Sequence, residues 1–261
     1  MAHVEGIDAY PVKGLDRCPL ARAKILEGGT LEHDREYAIY DGDGDVVNGK
    51  RTPLVHDVET AYDPDEGALT VGGPAVDGLA QQFELPAESE GAAELFGSIF
   101  SVDCTLERND TTGFVDRPEM GPSVISTATL ETVASWFDGV SLDGARRRLR
   151  ANIEIGGVPA FWEDRLVGEA APAVRIGDVR IEGVTPCGRC VVPSRDPDGG
   201  EAIEGFQQRF VEKRQETFPD WADSAAFDHF YTVMVIASVD DADRGDSITV
   251  GDDVELIAAD A

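Results

Sequence analysis

The sequence predicts an α+β, β-rich protein whose strands pair mostly antiparallel. Several short segments alternate apolar and polar residues with a period of two, which is typical of half-buried strands. Between them lie stretches with apolar residues three or four positions apart, which predict helices. Hydrophobic residues make up 42% of the 261 residues, including 11 Phe, 5 Tyr and 3 Trp. This content is enough to build a core and excludes a disordered chain.

The first hundred or so residues predict a small barrel or sandwich of short strands. Val102, Cys104 and Leu106 alternate with polar residues and so share one face of a strand. An Asp-Gly-Asp-Gly-Asp segment at residues 41–45 is expected to be a hairpin turn. One helix is expected at residues 88–97. The expected strands are residues 21–25, 35–40, 46–47, 68–71 and 101–107.

The pattern changes at residues 109–113, Asn-Asp-Thr-Thr-Gly. We place a domain boundary there, which divides the chain into units 1–108 and 109–261. Ser126 or Thr127 is expected to cap a helix that reaches Phe137. The other expected elements are helices at residues 142–149 and 202–216, and strands at residues 153–155, 174–176, 179–181, 231–239 and 247–257.

The charge of the chain excludes one class of function. There are 51 Asp and Glu against 22 Lys and Arg, a formal net charge of −29. This charge repels polyphosphate, so a non-specific nucleic-acid binder is excluded. We interpret the excess acid as a solvated surface adapted to a salt-rich cytoplasm, where screening removes the self-repulsion. A specific cationic partner is the alternative.

The sequence indicates neither secretion nor membrane insertion. The N-terminus has no basic and apolar leader pattern, and the longest apolar run, at residues 233–237, is far shorter than the roughly 20 residues that span a bilayer. Four cysteines are too few for a disulfide scaffold in a chain of this size. We therefore expect a cytoplasmic protein with reduced thiols and no membrane partner.

Two charged segments have ordinary structural explanations. The Asp-rich segment at residues 41–45 resembles the start of a calcium loop, but Val46 and Thr52 stand where that loop needs Gly and Glu. The arginine run at residues 146–148 is expected to be a solvated helix face paired with carboxylates. Arg150 differs, because it leads directly into a predicted strand and can point into a site.

The Cys-Gly-Arg-Cys segment at residues 187–190 is the most informative motif. A thioredoxin-type dithiol needs a helix after it, and the following Val-Val-Pro opens a helix poorly. A zinc site needs a second ligand pair, and an iron–sulfur cluster needs a different spacing. A single thiolate that binds a soft metal carried by an organic cofactor stays open. Cys187 is then expected to be a small, buried, uncharged neighbour.

Six segments that occur in one order together carry a family resemblance. They are residues 10–14 (Tyr-Pro-Val-Lys-Gly), 34–35 (Asp-Arg), 150–153 (Arg-Ala-Asn-Ile), 161–164 (Phe-Trp-Glu-Asp), 174–178 (Val-Arg-Ile-Gly-Asp) and 186–190 with 196–197 (Pro-Cys-Gly-Arg-Cys, then Asp-Pro). This order resembles a MOSC-domain protein, the molybdenum cofactor sulfurase C-terminal type. The resemblance runs from about residue 4 to residue 257. It implies a small N-terminal β-barrel-like domain and a C-terminal MOSC β-barrel with peripheral helices.

The resemblance implies which residues bind a molybdenum–molybdopterin cofactor. Cys190 would ligate molybdenum and so be the catalytic residue. The other implied cofactor-binding residues are Lys13, Gly14, Arg35, Arg150, Asn152, Gly188 and Arg189. Gly14 and Gly188 depart from the family pattern, in which a serine is common. Cations from both parts of the chain around one phosphate would place the cofactor in a cleft between them.

The resemblance also implies a function. The amidoxime-reducing members of the family reduce N-hydroxylated compounds, so we expect a molybdenum-dependent oxidoreductase, independent of pyridoxal phosphate, that acts on small N-hydroxylated or N-oxide substrates. The sequence shows no flavin or nicotinamide fingerprint, so electrons would come from a separate ferredoxin or cytochrome-type donor. The alternative is a sulfur or cofactor carrier that uses a persulfide on Cys190. A non-catalytic binding module is a third hypothesis.

Overall fold

A computed structural model describes residues 1–117 and 120–258 of the chain. Within these residues there are fifteen strands and four α-helices, and the predicted α+β, β-rich class is confirmed. The strands are β1 His3–Ala9, β2 Cys18–Leu20, β3 Arg22–Lys24, β4 Tyr37–Asp41, β5 Glu59–Asp63, β6 Ala68–Gly72, β7 Gln81–Glu84, β8 Cys104–Arg108, β9 Ser123–Ser126, β10 Ile153–Gly156, β11 Ala173–Ile176, β12 Val179–Gly188, β13 Thr232–Val239, β14 Ser247–Thr249 and β15 Val254–Ile257. The α-helices are α1 Ser89–Phe100, α2 Thr127–Ser135, α3 Leu142–Leu149 and α4 Phe206–Glu216.

Most predicted elements are present, with differences at their ends. The predicted strand at residues 46–47 is only an isolated bridge between Val46 and Tyr40, and strands β1, β2, β5, β7 and β9 were not predicted. Helix α3 has the predicted bounds, and Ser126 caps α2 by accepting a hydrogen bond from the backbone N–H of Thr129. Helix α4 begins at residue 206 rather than 202, because Gly205 adopts a left-handed conformation with φ 68°. Strand β8 begins at Cys104 rather than residue 101, because Ser101 ends α1 in the same conformation.

The last predicted strand is interrupted. Residues 247–257 form two strands, β14 and β15, because Gly251 turns the chain at a φ of 95°. Strand β14 leaves the main sheet and pairs with β3, whereas β15 pairs with β11. The helix expected to reach Phe137 ends at Ser135, followed by a turn.

The largest sheet joins the two ends of the sequence. Its eight strands lie in the order β15-β11-β12-β13-β9-β10-β1-β2, and every pair is antiparallel except β9 with β10. Strand β1 lies between β2 and β10, with Ile7 opposite both Leu20 and Ile153. Strands β1 and β2 therefore pack with the C-terminal strands, although they belong to the predicted unit 1–108. The boundary at residues 108/109 stays a prediction, and the packing crosses it.

The rest of the N-terminal part has a core of its own. Strands β5, β6 and β7 form one antiparallel sheet, β4 pairs with β8, and α1 packs against β7 and β8. Val12, Tyr37, Leu69 and Phe96 are buried together there. A third core joins α2, α3 and α4 to strands β9 and β13. No helix in the described part of the chain combines the length and the apolar character that a bilayer crossing needs.

The Asp-Gly-Asp-Gly-Asp segment is a turn, as predicted. Oδ1 of Asp41 accepts hydrogen bonds from the backbone N–H groups of Asp43 (3.1 Å) and Asp45 (2.9 Å). Arg51 forms ion pairs with Asp41 and Asp45. Among residues 1–117 and 120–258, no group of three or more His, Cys, Asp or Glu side chains is arranged to hold a metal ion.

Candidate functional site: a cationic cavity beside a free thiol

A cavity of about 300 Å³ lies where loops from both parts of the chain meet. Residues between β1 and β2, residues just before β4, the connection between α3 and β10, and the end of β12 all contribute to its walls. The structure brings all eight predicted site residues to this one cavity. They are Lys13, Gly14, Arg35, Arg150, Asn152, Gly188, Arg189 and Cys190.

Antiparallel pairing explains why residues near 10 and near 150 are neighbours. The C-terminal end of β1 lies opposite the N-terminal end of β10, and the backbone N–H of Asp8 donates to the carbonyl of Asn152 at 2.8 Å. Residues that follow β1 and residues that precede β10 therefore emerge at the same edge of the sheet. The Tyr10 hydroxyl completes this connection by donating to the carbonyl of Ala151 at 3.3 Å.

Positive charge is concentrated around the cavity. In the part of the chain that the structure describes, ten of the 22 lysines and arginines line it, against three carboxylates. The cations are Lys13, Arg17, Arg35, Lys50, Arg117, Arg147, Arg148, Arg150, Arg189 and Arg195, and the carboxylates are Asp16, Asp34 and Asp116. In a chain of net charge −29 this local excess is opposite in sign to the rest of the molecule. The cavity is therefore suited to a small anion.

Arg35 is held in place by backbone contacts on both sides. It adopts a left-handed φ of 54°, its N–H donates to the Tyr10 carbonyl, and its carbonyl accepts from the N–H of Phe114. Its guanidinium pairs with the buried Asp34 and lies 4.9 Å from the centre of the Tyr10 ring. Burial opposes the charged form, but the Asp34 carboxylate outweighs this and raises the pKa of Arg35. Arg35 is thus a fixed, permanent cation.

Arg150 ends helix α3 and turns the chain into β10. It adopts a left-handed φ of 59°, and its N–H donates to the Arg146 carbonyl at 2.9 Å. Its guanidinium lies 4.0 Å from the centre of the Tyr10 ring. Burial lowers the pKa of Arg150, and the neighbouring Arg35 adds to this effect. Among the described residues no carboxylate forms an ion pair with Arg150, so its charge is available to a ligand.

Lys13 and Gly14 follow β1 on the cavity wall. The Lys13 ammonium lies 2.6 Å from Oδ1 of Asp116. Gly14 has a φ of 94°, and a Cβ there would approach the Cβ of Asn48 to 3.2 Å. L side chains rarely adopt this backbone conformation. The absence of the serine that the resemblance implies at Gly14 therefore has a conformational reason.

Asn152 lines the cavity, but most of its hydrogen bonds are made inside the protein. Its side-chain oxygen accepts from the N–H and the hydroxyl of Ser123, at 3.1 and 3.0 Å. Its side-chain nitrogen donates to the Asp8 carbonyl at 3.1 Å. One N–H of the carboxamide is left for a ligand. The geometry thus favours a role in which Asn152 connects β1, β9 and β10 at the floor of the cavity.

The Cys-Gly-Arg-Cys segment is held against α3 by its arginine. Arg189 donates from Nη2 to the Leu149 carbonyl at 2.8 Å and from Nη1 to Sγ of Cys187 at 3.1 Å. The Tyr231 hydroxyl donates to the Cys190 carbonyl at 2.9 Å. Both thiols are free, and both are partly exposed to the cavity. The expectation of a buried Cys187 is wrong, because this residue forms part of the cavity wall.

Gly188 is the second position at which the resemblance implies a serine. A Cβ at Gly188 would meet only the His229 ring, at 3.5 Å, so space does not require glycine there.

The arginine run at residues 146–148 is paired as expected, for example Arg147 with Asp198 at 2.6 Å and Arg148 with Asp196 at 2.9 Å. Arg148 is not solvated, however: it is 7% exposed, and burial lowers its pKa.

Sequence analysis missed several residues of the cavity. Lys50 lies 3.2 Å from Oδ2 of Asp116, opposite Lys13. The scarcity of lysine, with only four in the chain, was a signal that could have identified it. No sequence signal indicated His56, which a short 3-10 helix brings to the cavity wall, where burial and the Arg195 charge lower its pKa.

Comparison with known proteins identifies the family of the chain. Residues 1–113 match the family of the MOSC N-terminal beta barrel domain, and residues 118–255 match the MOSC domain. The chain is 22% identical over 247 residues to the molybdenum cofactor sulfurase of Oryza sativa subsp. japonica, an alignment that covers 77% of this chain and 29% of that relative. The chain thus spans less than a third of the length of this relative. The MOSC match alone covers more than half of the sequence, and the chain belongs to the MOSC-domain family.

Proposed function

We propose that this protein binds a molybdenum–molybdopterin cofactor and reduces small N-hydroxylated or N-oxide compounds, with electrons from a separate donor protein. The MOSC domain and the similarity to a molybdenum cofactor sulfurase point to a function related to this cofactor. The observation that carries the proposal is the meeting of Cys190, a free thiol, with a cavity lined by ten cations. A soft thiolate suits molybdenum, and the cations suit a phosphate.

The donor atoms of the cavity fit such a group. The Nε atoms of Arg148, Arg189 and Arg195 are buried without a hydrogen-bond partner among the described residues. Buried donors without a partner are costly, by about 1–3 kcal/mol each. A phosphate group carries close to two negative charges and three strong acceptor oxygens, so it satisfies several such donors at once.

Each residue then has a defined task. Lys13, Arg35 and Arg150 would hold the phosphate, and the Cys190 thiolate would ligate molybdenum. Bound there, the cofactor supplies two-electron oxygen-transfer chemistry, which no side chain of this chain provides. Arg189 positions the thiol segment through its bonds to α3 and to Cys187. The partial burial of these groups limits water at the site and strengthens their interaction with an anion.

The electrons would come from a ferredoxin or a cytochrome-type protein. The chain has four cysteines, two of which, Cys18 and Cys104, lie outside the cavity lining. This number and spacing do not suit an iron–sulfur cluster of the chain's own. We therefore propose that a second protein supplies the electrons for turnover.

The alternative function is a sulfur or cofactor carrier that uses a persulfide on Cys190 and has no turnover of its own. The similarity to a protein named molybdenum cofactor sulfurase favours it. The same cations and the same thiol would serve this function. The two functions differ in what the purified protein contains.

Metal and sulfur analysis tests both functions. The protein is purified from a host that makes the cofactor, as wild type, Cys190→Ala and the control Cys104→Ala. We expect close to one molybdenum per chain in wild type and in C104A, and loss of molybdenum in C190A. We also expect wild type to reduce benzamidoxime with a chemical electron donor.

Other outcomes contradict the proposal in distinct ways. Sulfane sulfur on Cys190 without molybdenum would support the carrier. Full molybdenum loading without reduction of benzamidoxime would argue against the reductase and leave cofactor binding in place. The absence of both molybdenum and sulfane sulfur would favour a non-catalytic binding module.

A further inference from the structure

Two of the three carboxylates that line the cavity are anchored by the fold. Asp34 is 3% exposed and accepts a hydrogen bond from the backbone N–H of Tyr10 at 3.0 Å. Asp16 accepts from the backbone N–H of Thr60 at 2.8 Å. Both carboxylates therefore have partners that a ligand cannot replace.

Asp116 is different, because lysine ammonium groups are its only partners among the described residues. Its Oδ1 lies 2.6 Å from Nζ of Lys13, and its Oδ2 lies 3.2 Å from Nζ of Lys50. The Asp116 side chain is 64% exposed. The two lysines thus hold this carboxylate, and a displacement of the Asp116 side chain breaks no other side-chain hydrogen bond among residues 1–117 and 120–258.

The carboxylate of Asp116 occupies the two lysines as a ligand anion would. Partial burial opposes its ionisation, but the hydrogen bond and charge of Lys13, together with Lys50, lower the pKa of Asp116 to about 2. Asp116 is therefore an anion throughout the neutral range. An anionic ligand at Lys13 and Lys50 must displace this carboxylate or be repelled by it.

We propose that Asp116 is an internal counter-ion that competes with the ligand's anionic group for Lys13 and Lys50, and so selects for a dianionic phosphate over monoanions. The inference rests on the proposed anion binding at this cavity. A tethered carboxylate has a high effective concentration at the lysines. A free anion that carries a single charge gains no electrostatic energy when it replaces this carboxylate at the lysines. A phosphate dianion gains from its second charge and from the guanidinium groups of Arg150 and Arg189, which form no ion pair with a carboxylate of the described residues.

The competition is tested by phosphate binding to the full-length chain from a host that does not make the cofactor. Inorganic phosphate is titrated calorimetrically into wild type, Asp116→Asn, Asp116→Glu and Asp178→Asn. Asp178 lies in the exposed turn between β11 and β12, so its substitution reproduces the change in net charge away from the cavity. Equal melting temperatures establish that the variants are folded.

We expect D116N to bind phosphate about three- to tenfold more tightly than D178N, because the ion pairs of Asp116 with Lys13 and Lys50 no longer compete with the ligand. We expect D116E, which keeps the charge, to remain close to wild type. Nitrate, a monoanion, should bind D116N measurably and wild type not at all.

Phosphate affinity of D116N equal to or weaker than that of D178N would overturn the inference, because Asp116 would then orient the lysines for the ligand. Molybdenum content separates this result from the proposed function. If neither wild type nor D116N takes up molybdenum in a host that makes the cofactor, the proposed function fails, and the phosphate titration still decides the role of Asp116.

Discussion

Two arginines, one in the interior and one at the cavity, differ in the partner that the fold provides. Arg214, on α4, is fully buried, and its Nη2 lies 2.5 Å from Oδ2 of Asp164. Its guanidinium carbon lies 4.3 Å from the centre of the Phe161 ring. Arg150 also lies against an aromatic ring, at 4.0 Å from the centre of Tyr10, but it forms no ion pair with a carboxylate of residues 1–117 or 120–258.

The difference distinguishes an interior cation from the cavity cations that we propose bind a ligand. The interior cation has its own anion, since an unpaired charge there would cost several kcal/mol. No carboxylate of residues 1–117 or 120–258 forms an ion pair with the cavity cations Arg150 and Arg189, although the chain contains 51 acidic residues. Their missing partner is the strongest structural indication that a ligand supplies it.

The largest effect is expected from Arg214→Met. This substitution leaves the buried Asp164 without a cation, and we expect a loss of about 3–5 kcal/mol in the free energy of unfolding. Urea denaturation in concentrated salt measures it. Arg209→Met, on the exposed face of the same helix, is the control and should change stability by less than about 0.5 kcal/mol. Similar losses of stability in R214M and R209M would mean that the net charge of α4, rather than the ion pair of Arg214 with Asp164, determines the stability.

Glu163 extends the comparison to a buried acidic group. It is fully buried, its Oε1 has no partner among the described residues, and burial together with the neighbouring Asp164 raises its pKa to about 8. The folded state therefore holds a proton on Glu163 that the unfolded state releases near its ordinary value of 4.5. The contribution of this proton to the free energy of unfolding is fully present below about pH 4.5 and is lost as the pH rises towards 8.

The expected result is a pH dependence that one substitution removes. The free energy of unfolding should fall by about 2–3 kcal/mol between about pH 6 and pH 8, at no more than about 1.4 kcal/mol per pH unit. Glu163→Gln should flatten this dependence, whereas Glu169→Gln, at an exposed site, should not. Urea denaturation across this pH range checks it, and an unchanged slope in E163Q would contradict the assignment.

Substitution of Asn152 tests whether this residue supports the fold or contacts the ligand. Asn152→Ala leaves the N–H and hydroxyl of Ser123 and the carbonyl of Asp8 without their partner. We expect a loss of about 1–3 kcal/mol in stability. A double-mutant cycle with Ser123→Ala should show coupling between the two side chains. Full stability together with lost phosphate binding would instead show that Asn152 acts on the ligand.

The smallest effect on stability is expected at Arg150. Arg150→Met removes a partly buried charge that has no counter-ion among the described residues, so stability should change by less than about 1 kcal/mol or increase. Phosphate affinity should fall about tenfold or more, because a charge-assisted hydrogen bond is lost. Denaturation and phosphate titration on the same sample test both statements. A loss of stability as large as that of R214M would remove the distinction between the two arginines.

Local sequence patterns predicted the helices and most of the strands, and the ends of these elements less well, but strands β1, β2, β5, β7 and β9 were not predicted. The apolar spacing of residues 142–149 and the Ser126 cap depend on neighbours within one or two helical turns, and both are present. The ends at Gly205 and Ser101 depend on single residues in left-handed conformations, which residue type alone does not settle. The pairing of β1 with β10 joins residues almost 150 positions apart, and no local pattern contains it.

The candidate site likewise has residues that the sequence predicts and residues whose position depends on tertiary packing. The motif order around Lys13, Arg35, Arg150 and Cys190 identified residues that the structure brings to one cavity. Lys50, His56 and Asp116 were missed, since their position at the cavity depends on how segments distant in the sequence pack together. Asn152 was identified from its motif, but only the tertiary structure shows how its carboxamide bonds are distributed.

The sequence by itself determined the composition of this protein: an acidic chain with few lysines, β-rich segments and one Cys-Gly-Arg-Cys motif. The tertiary structure decided which charges are paired. Asp34, Asp164 and Asp116 are the same residue type in the sequence. In the structure Asp34 is anchored beside Arg35, Asp164 neutralises an interior arginine, and Asp116 bridges two lysines at the cavity. Charge pairing depends on distance and burial, and both arise only when distant segments pack together.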